Sequence, residues 1–248
     1  MIRDLENEIV GNIAIITARS GSKGLADKNI KELCGKPLLA YSVECALQSG
    51  QFEKVFVSTD SPQYAEIAEK FGADASFLRS RENSGDTAGS WDVVREVIHR
   101  FEEKGDFFER IMLLQPTSPL RNASDIRNSF SLMQEKSANA VVSVCEMEHS
   151  PLWSNTIGDD LCMDNFRREN YCDLRRQDLP VYYRLNGALY LVTREELERP
   201  VMLRDKCYAY IMPAERSIDI DTAFDFRIAE CYMQEWNENN DTETTQEG

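Results

Sequence analysis

The 248-residue chain contains no apolar run of the ~18 residues that a membrane-spanning helix needs. Its opening stretch, MIRDLENEIVGN, lacks the basic start and apolar block of a secretory signal, so the expectation is a cytoplasmic protein with no membrane partner. Positive charge is scarce: 28 Lys and Arg against 43 Asp and Glu leave a formal net charge of −15. That balance argues against the broad basic footprint of a nucleic-acid binder. Only two histidines are present, His99 in a helical pattern and His149 in a loop, which argues against a His-rich metal site. The seven cysteines (34, 45, 145, 162, 172, 207 and 231) form no CxxC pair, so neither a zinc ribbon nor a redox motif is supported, and they read as reduced thiols. Internal repeats are absent as well.

What remains is globular. Hydrophobic residues make up 42% and aromatics 9% of the chain, enough to exclude wholesale disorder. The length suits one large domain with an appendage. Short apolar runs alternate with amphipathic stretches. Asn12–Thr17, Lys54–Ser58, Arg110–Leu114 and Ala140–Val144 read as buried strands, with Asp74–Leu78 as a weaker one. Helices are expected from Pro37 to about Ser49, after Pro62, over Trp91–Glu103, from about Ser124 and from about Thr222. This rhythm predicts an α/β fold with a doubly wound, mostly parallel sheet, whose ligands bind outside the carboxyl ends of the strands. The main domain is expected over 9–145 and 184–234. The irregular stretch 146–183 reads as an inserted lobe, a lid or an oligomerisation arm. The final residues 235–248 carry five acids and no base, and are expected to be disordered.

Four constellations carry chemistry. The loop Thr17–Asn29 (TARSGSKGLADKN) combines glycines, whose neighbouring N–H groups can converge on an anion, with Arg19, Lys23 and Lys28. In so acidic a chain this cluster favours a polyphosphate; the bland alternative is a flexible surface turn. It matches neither the phosphate loop GxxxxGK[ST] nor the dinucleotide GxGxxG. In Ser217–Thr222 (SIDIDT), an extended backbone turns Asp219 and Asp221 to one face and Ile218 and Ile220 to the core. Two such carboxylates suit Mg²⁺ bridging to phosphate oxygens, although Asp221 could equally cap the next helix. Gln115–Arg121 (QPTSPLR) is a proline-stiffened loop offering Gln115, Thr117 and Ser118 as neutral hydrogen-bonding groups for a sugar or base, or an ordinary turn. Arg175, Arg176, Arg184 and Asn186 could fork onto a carboxylate or form surface salt bridges.

Taken in order, ARSGSKGLADKN, GKPLLAYS, VSTDS, GDTAGS, LLQPTSPLR, VVSVCEMEHSPL, RRQDLP, RLNGALYL and ERSIDIDT resemble the acylneuraminate cytidylyltransferases and related CMP-nonulosonate synthetases, from about Ile13 to Ala229. The resemblance implies a nucleotidyltransferase converting CTP and a nonulosonate to CMP-nonulosonate and pyrophosphate with Mg²⁺, or Mn²⁺ as a substitute. It implies a homodimer whose insert, 146–183, borders the partner's site. Residue by residue it assigns Arg19, Ser20, Gly21, Lys23, Lys28 and Asn29 to the triphosphate loop, and Arg79, Ala88 and Ser90 to the cytidine. Gln115, Arg176, Arg184, Asn186 and Tyr190 fall to the sugar, with Arg176 reaching across the dimer. Asp219 and Asp221 fall to the metal, and Lys28, Arg19 and the two aspartates form the catalytic set. Trp153-Ser154-Asn155 stands where sialic-acid enzymes carry a lysine, a form closer to enzymes acting on legionaminic acid. The alternatives are a cytidylyltransferase for KDO (a related keto sugar acid) or for a sugar phosphate, and a non-catalytic nucleotide-sugar-binding module.

Overall fold

A computed structural model describes residues 11–21, 24–85, 88–164, 166, 174–199 and 202–244. Strand β1 (Asn12–Thr17) leads through a long loop to the two-residue strands β2 (Glu32–Leu33) and β3 (Lys36–Pro37), which pair as a small hairpin. Then follow α1 (Leu38–Ser49), β4 (Lys54–Ser58), α2 (Pro62–Lys70), α3 (Ser90–Glu102), β5 (Arg110–Leu114) and α4 (Ala123–Lys136). The chain closes with β6 (Ala140–Glu146), β7 (Tyr183–Thr193), α5 (Arg194–Leu197), β8 (Cys207–Ile211) and α6 (Ala223–Thr244).

One six-stranded sheet, in the order β4-β1-β5-β7-β6-β8, carries the molecule. Strands β4, β1 and β5 pair in parallel, as do β6 and β8. Strand β7 enters between β5 and β6 antiparallel to both. Its amino end, Arg184–Gly187, therefore lies at the edge where β1, β4 and β5 end, beside the switch in strand order that makes a ligand crevice. No local pattern signals this inversion, because a strand buried on both faces reads the same in either direction.

Alternate residues of the buried strands feed two cores. Ala14, Ile16, Val57, Met112, Leu114, Val141, Leu189 and Leu191 pack with α1, α2 and α4. Ile13, Ile15, Phe56, Ile111, Leu113 and Val192 pack with Val94, Val97, Ile98 and Phe101 of α3. A third, smaller core joins Leu33 and Leu38 to Ile220, Phe226, Ala229 and Met233. Ile220 is fully buried there, which fixes the segment bearing Asp219 and Asp221.

Three expectations are corrected. Asp74–Leu78 is not a strand: only Asp74 bridges to Phe56, because the Asp74 carboxylate turns back onto Ser76 N (2.8 Å) and ends the pairing. Helix α4 is capped by Asn122, not Ser124, through a reciprocal box with Asp125. The acidic tail is not without structure throughout, since the α6 backbone continues past Glu235 to Thr244. No helix among the described residues is long and apolar enough to cross a membrane.

Candidate active site

A cleft of about 660 Å³ opens at the carboxyl edge of the sheet. It is lined by ten of the residues singled out above: Arg19, Lys28, Asn29, Arg79, Ala88, Ser90, Gln115, Thr117, Asp219 and Asp221. A second cavity of about 500 Å³ lies at the opposite edge, but Arg110, the one cation lining it, is paired with Glu109. The concentration of basic groups therefore marks the first cleft as the anion site.

The loop after β1 is held from three sides. Asp60, just past β4, accepts from the Ser20 N–H (2.8 Å) and hydroxyl (2.9 Å). Asn29, 5% exposed, donates to the Arg19 carbonyl (3.0 Å), so its amide braces the loop. Gly24 passes so close to the next segment that a Cβ there would stand 2.6 Å from the Asp221 carbonyl oxygen. Lys28, 9% exposed, donates to the Ile220 carbonyl (2.6 Å) and meets Asp221 Oδ1 at 3.0 Å. Gly21 stands clear of other atoms, and Lys23 lies outside the described residues.

Arg79 forms another wall. Its guanidinium donates to Ser58 Oγ (3.2 Å) and the Ser58 carbonyl (2.7 Å), while burial holds its pKa down. The loop that follows is gripped by Glu96 of α3, which accepts from Ser80 N (2.7 Å), Ser80 Oγ (2.9 Å) and Asn83 Nδ2 (2.7 Å). Ala88 and Ser90 line the cleft where α3 begins, so its amino end faces the space an anion could fill.

The aspartates form the far rim. The Asp219 carboxyl is recessed though accessible, and its pKa is pushed up by burial and by the like charge of Asp221. The Thr117 hydroxyl, Lys28 and Arg184 act in the opposite sense. The Thr117 carbonyl accepts from Ile220 N (2.8 Å), which ties the proline-stiffened loop to the aspartate segment. Asp221 is exposed, with 76% of its side chain accessible. Among the described residues no group of three or more His, Cys, Asp and Glu could hold a metal, so two carboxylates are the whole acidic donor set.

The residues expected at the sugar divide. Tyr190 stacks edge-on against Trp91 (6.0 Å between centroids), and burial, then the Asp219 charge, raises its phenol pKa. Arg184 reaches the Ser217 carbonyl (3.3 Å). Asn186 does not offer its amide to the cleft. It is 1% exposed, donates to Ser217 Oγ (2.9 Å), and accepts from Ser143 Oγ (2.6 Å) and Ala188 N (3.2 Å). Its chemistry is consumed in joining β6, β7 and the aspartate segment. Arg176 lies away from the cleft, on a separate cavity of about 460 Å³ with Glu146, Glu148 and Glu215. Sequence reasoning missed Asp60, although a polar TDS run directly after a buried strand was a usable signal. Val93 also lines the cleft, from a helix read only for its apolar face, and so does Thr222, at the end of the SIDIDT segment.

A mostly parallel sheet with a basic loop and two carboxylates gathered at its carboxyl edge is the α/β architecture whose ligands bind at that edge. A sequence model of the family described as Cytidylyltransferase matches residues 13–200, and the chain belongs to that family. It is 40% identical to an N-acylneuraminate cytidylyltransferase of Escherichia coli over 91% of this chain, but spans only 52% of that relative's length. It is 35% identical to a CMP-N,N'-diacetyllegionaminic acid synthase of Legionella pneumophila, covering 90% of this chain and 96% of the relative. A pseudaminic acid cytidylyltransferase of Campylobacter jejuni is 31% identical over 88% and 94% of the two chains. Among solved structures, a CMP:2-keto-3-deoxy-manno-octonic acid synthetase complexed with CTP superposes with a TM-score of 0.67 at 18% identity, covering 90% of this chain and 98% of that one. At that identity the likeness concerns the fold alone.

Proposed function

We propose that the protein transfers the cytidylyl group of CTP to a nonulosonate of the sialic or legionaminic class, releasing pyrophosphate. The observation that carries this reading is a single cleft lined both by the cations Arg19, Lys28 and Arg79 and by the carboxylates Asp219 and Asp221, with Lys28 in contact with Asp221 (3.0 Å). The named activities of relatives that align with nearly the whole chain support it.

Arg19 and Lys28 bind the triphosphate, with Ser20, Gly21 and Lys23 in the same loop. The cytidine sits against Arg79, Ala88 and Ser90. Gln115, Arg184 and Tyr190 receive the sugar acid, with an arginine for its carboxylate. The anomeric hydroxyl attacks the α-phosphorus as the bond to pyrophosphate breaks, and Asp219 orients that hydroxyl. The work is alignment of the two substrates and neutralisation of phosphate charge.

The aspartates fit Mg²⁺. Both are hard oxygen donors, Asp221 is accessible, and the like charges are met only in part by Lys28. Bound by Asp219 and Asp221, the ion supplies positive charge against the phosphate oxygens. Two carboxylates suffice because the substrate phosphates complete such a site.

A homodimer belongs to the same reading. Val181, Tyr183, Leu185 and Ile211 are large exposed apolar residues at and beside the cavity where Arg176 lies, and Arg176 would serve the partner's sugar site. The direct test is thermal unfolding with CTP and Mg²⁺. Binding to the native state raises Tm by mass action, and an unmoved transition at millimolar CTP contradicts the nucleotide site.

A further inference from the structure

The most deeply placed cation next to the cleft does not line it. Arg121 follows the Gln115–Leu120 loop and is 4% exposed. Its guanidinium forks between strand and loop. Nη1 donates to the Ala188 carbonyl of β7 (2.5 Å) and stands 3.5 Å from the Gln115 carbonyl, while Nη2 donates to Ser42 Oγ of α1 (2.6 Å). Its Nε is buried without a partner, and among the described residues no carboxylate pairs with it. Burying a guanidinium whose charge is met by carbonyls and a hydroxyl but by no carboxylate is costly.

The carbonyls it holds belong to two pieces that frame the cleft. Gln115 is itself a lining residue, and its carbonyl also accepts from Ser118 N (3.2 Å). Gly187, next to Ala188, has φ +74° and lies so near Gln115 that a Cβ would stand 2.5 Å from Gln115 Oε1. Two residues on, Thr117 holds Ile220 and hydrogen-bonds Asp219. One guanidinium thus joins the backbone of β7 to the loop that orients Gln115 and braces the aspartate segment.

We infer that Arg121 is a positioning residue: its forked contacts to Ala188, Gln115 and Ser42 set the register of the 115–119 loop against β7, and so the aim of Gln115 and the seat of Asp219. For its effect on turnover the inference rests on the function proposed above. For the geometry it does not, so the two can fail separately.

The test compares wild type with Arg121→Met and Arg121→Lys, using Arg127→Met, an exposed arginine of α4, as a control. Amide hydrogen exchange reads the geometry without any substrate. In Arg121→Met the Ser118 and Ile220 amides exchange about tenfold faster or more, while β4 and α2 are unchanged, as expected when a hydrogen bond to a charged group is removed. In pyrophosphate-release kinetics the acceptor KM rises by roughly tenfold and the CTP KM stays within about twofold. Arg121→Lys falls between, because an ammonium can satisfy one carbonyl but cannot fork. If Arg121→Met does not fold, the lysine variant carries both readouts. A lowered Tm with unchanged Ser118 and Ile220 exchange and an unchanged acceptor KM would overturn the inference. If wild type releases no pyrophosphate with any acceptor, the proposed function falls and the exchange result alone decides the role of Arg121.

Discussion

The two halves of the sheet treat their ligand groups differently. On the β4-β1-β5 side the polar side chains that support the cleft are braced by neighbours within the same chain: Ser20 by Asp60, the Ser80–Ser84 turn by Glu96, and Lys28 by Ile220 and Asp221. On the β7-β6-β8 side Asn186 is consumed internally and Arg176 stands apart from the cleft, while Arg184 and Tyr190 remain within electrostatic reach of Asp219. In the proposed reading the first half, braced within one chain, takes the nucleotide. In the same reading the second would be completed by the sugar and, in the proposed dimer, by the partner subunit.

Changes on the aspartate rim should break this division most strongly. Asp219→Ala and Asp221→Ala each remove a hard oxygen donor, and turnover should fall by about 10²–10³-fold or more with CTP and Mg²⁺ present. Pyrophosphate release checks this, and full activity in both variants would remove the metal assignment. Next comes Gly24→Ala. Its new Cβ would meet the Asp221 carbonyl at 2.6 Å, so either the phosphate loop or the aspartate segment must shift. Misplacement on that scale should cost roughly 10²-fold in kcat/KM, with CTP affinity falling alongside.

Asn186→Ala sharpens the contrast, because its expected damage is to stability. It strips partners from the buried Ser143 and Ser217 hydroxyls and should cost about 1–3 kcal/mol, seen as a lower Tm, while CTP affinity is retained. The smallest effect concerns Glu96. Burial raises its pKa, but hydrogen bonds from Asn83 and Ser80 and the Arg100 charge outweigh burial and hold it below the usual 4.5. A carboxyl with a depressed folded pKa stabilises fully above its unfolded value and loses that contribution as pH falls through the folded one. The Tm gap between wild type and Glu96→Gln should thus be constant near neutrality and close as pH falls below the ordinary carboxylate range. A gap that widens with acid would contradict this assignment.

Much of this was legible in advance because it depends on local pattern. The buried strands betray themselves by short apolar runs, and the loops at their carboxyl ends by the residues that must approach a phosphate. What stayed hidden depends on pairing across long separations. The inversion of β7 follows from its place between β5 and β6, which no window of residues reveals. Asn186 looked like a ligand because RLNGALYL places it at a strand end, yet the β6 bulge between Val142 and Val144 brings Ser143 against it and turns its amide inward. Arg121 was invisible for the opposite reason. It belongs to a recognisable loop, but its partners at 42 and 188 are distant in sequence.

The most direct measurement is pyrophosphate release from CTP and Mg²⁺ with N-acetylneuraminate, a legionaminate, a pseudaminate and KDO as acceptors. Release that requires both CTP and one of the first three acceptors is the predicted result, and preference for the legionaminate would support the reading of Trp153. Silence with every acceptor, while CTP still raises Tm, would contradict the proposed transferase and leave a nucleotide-binding module.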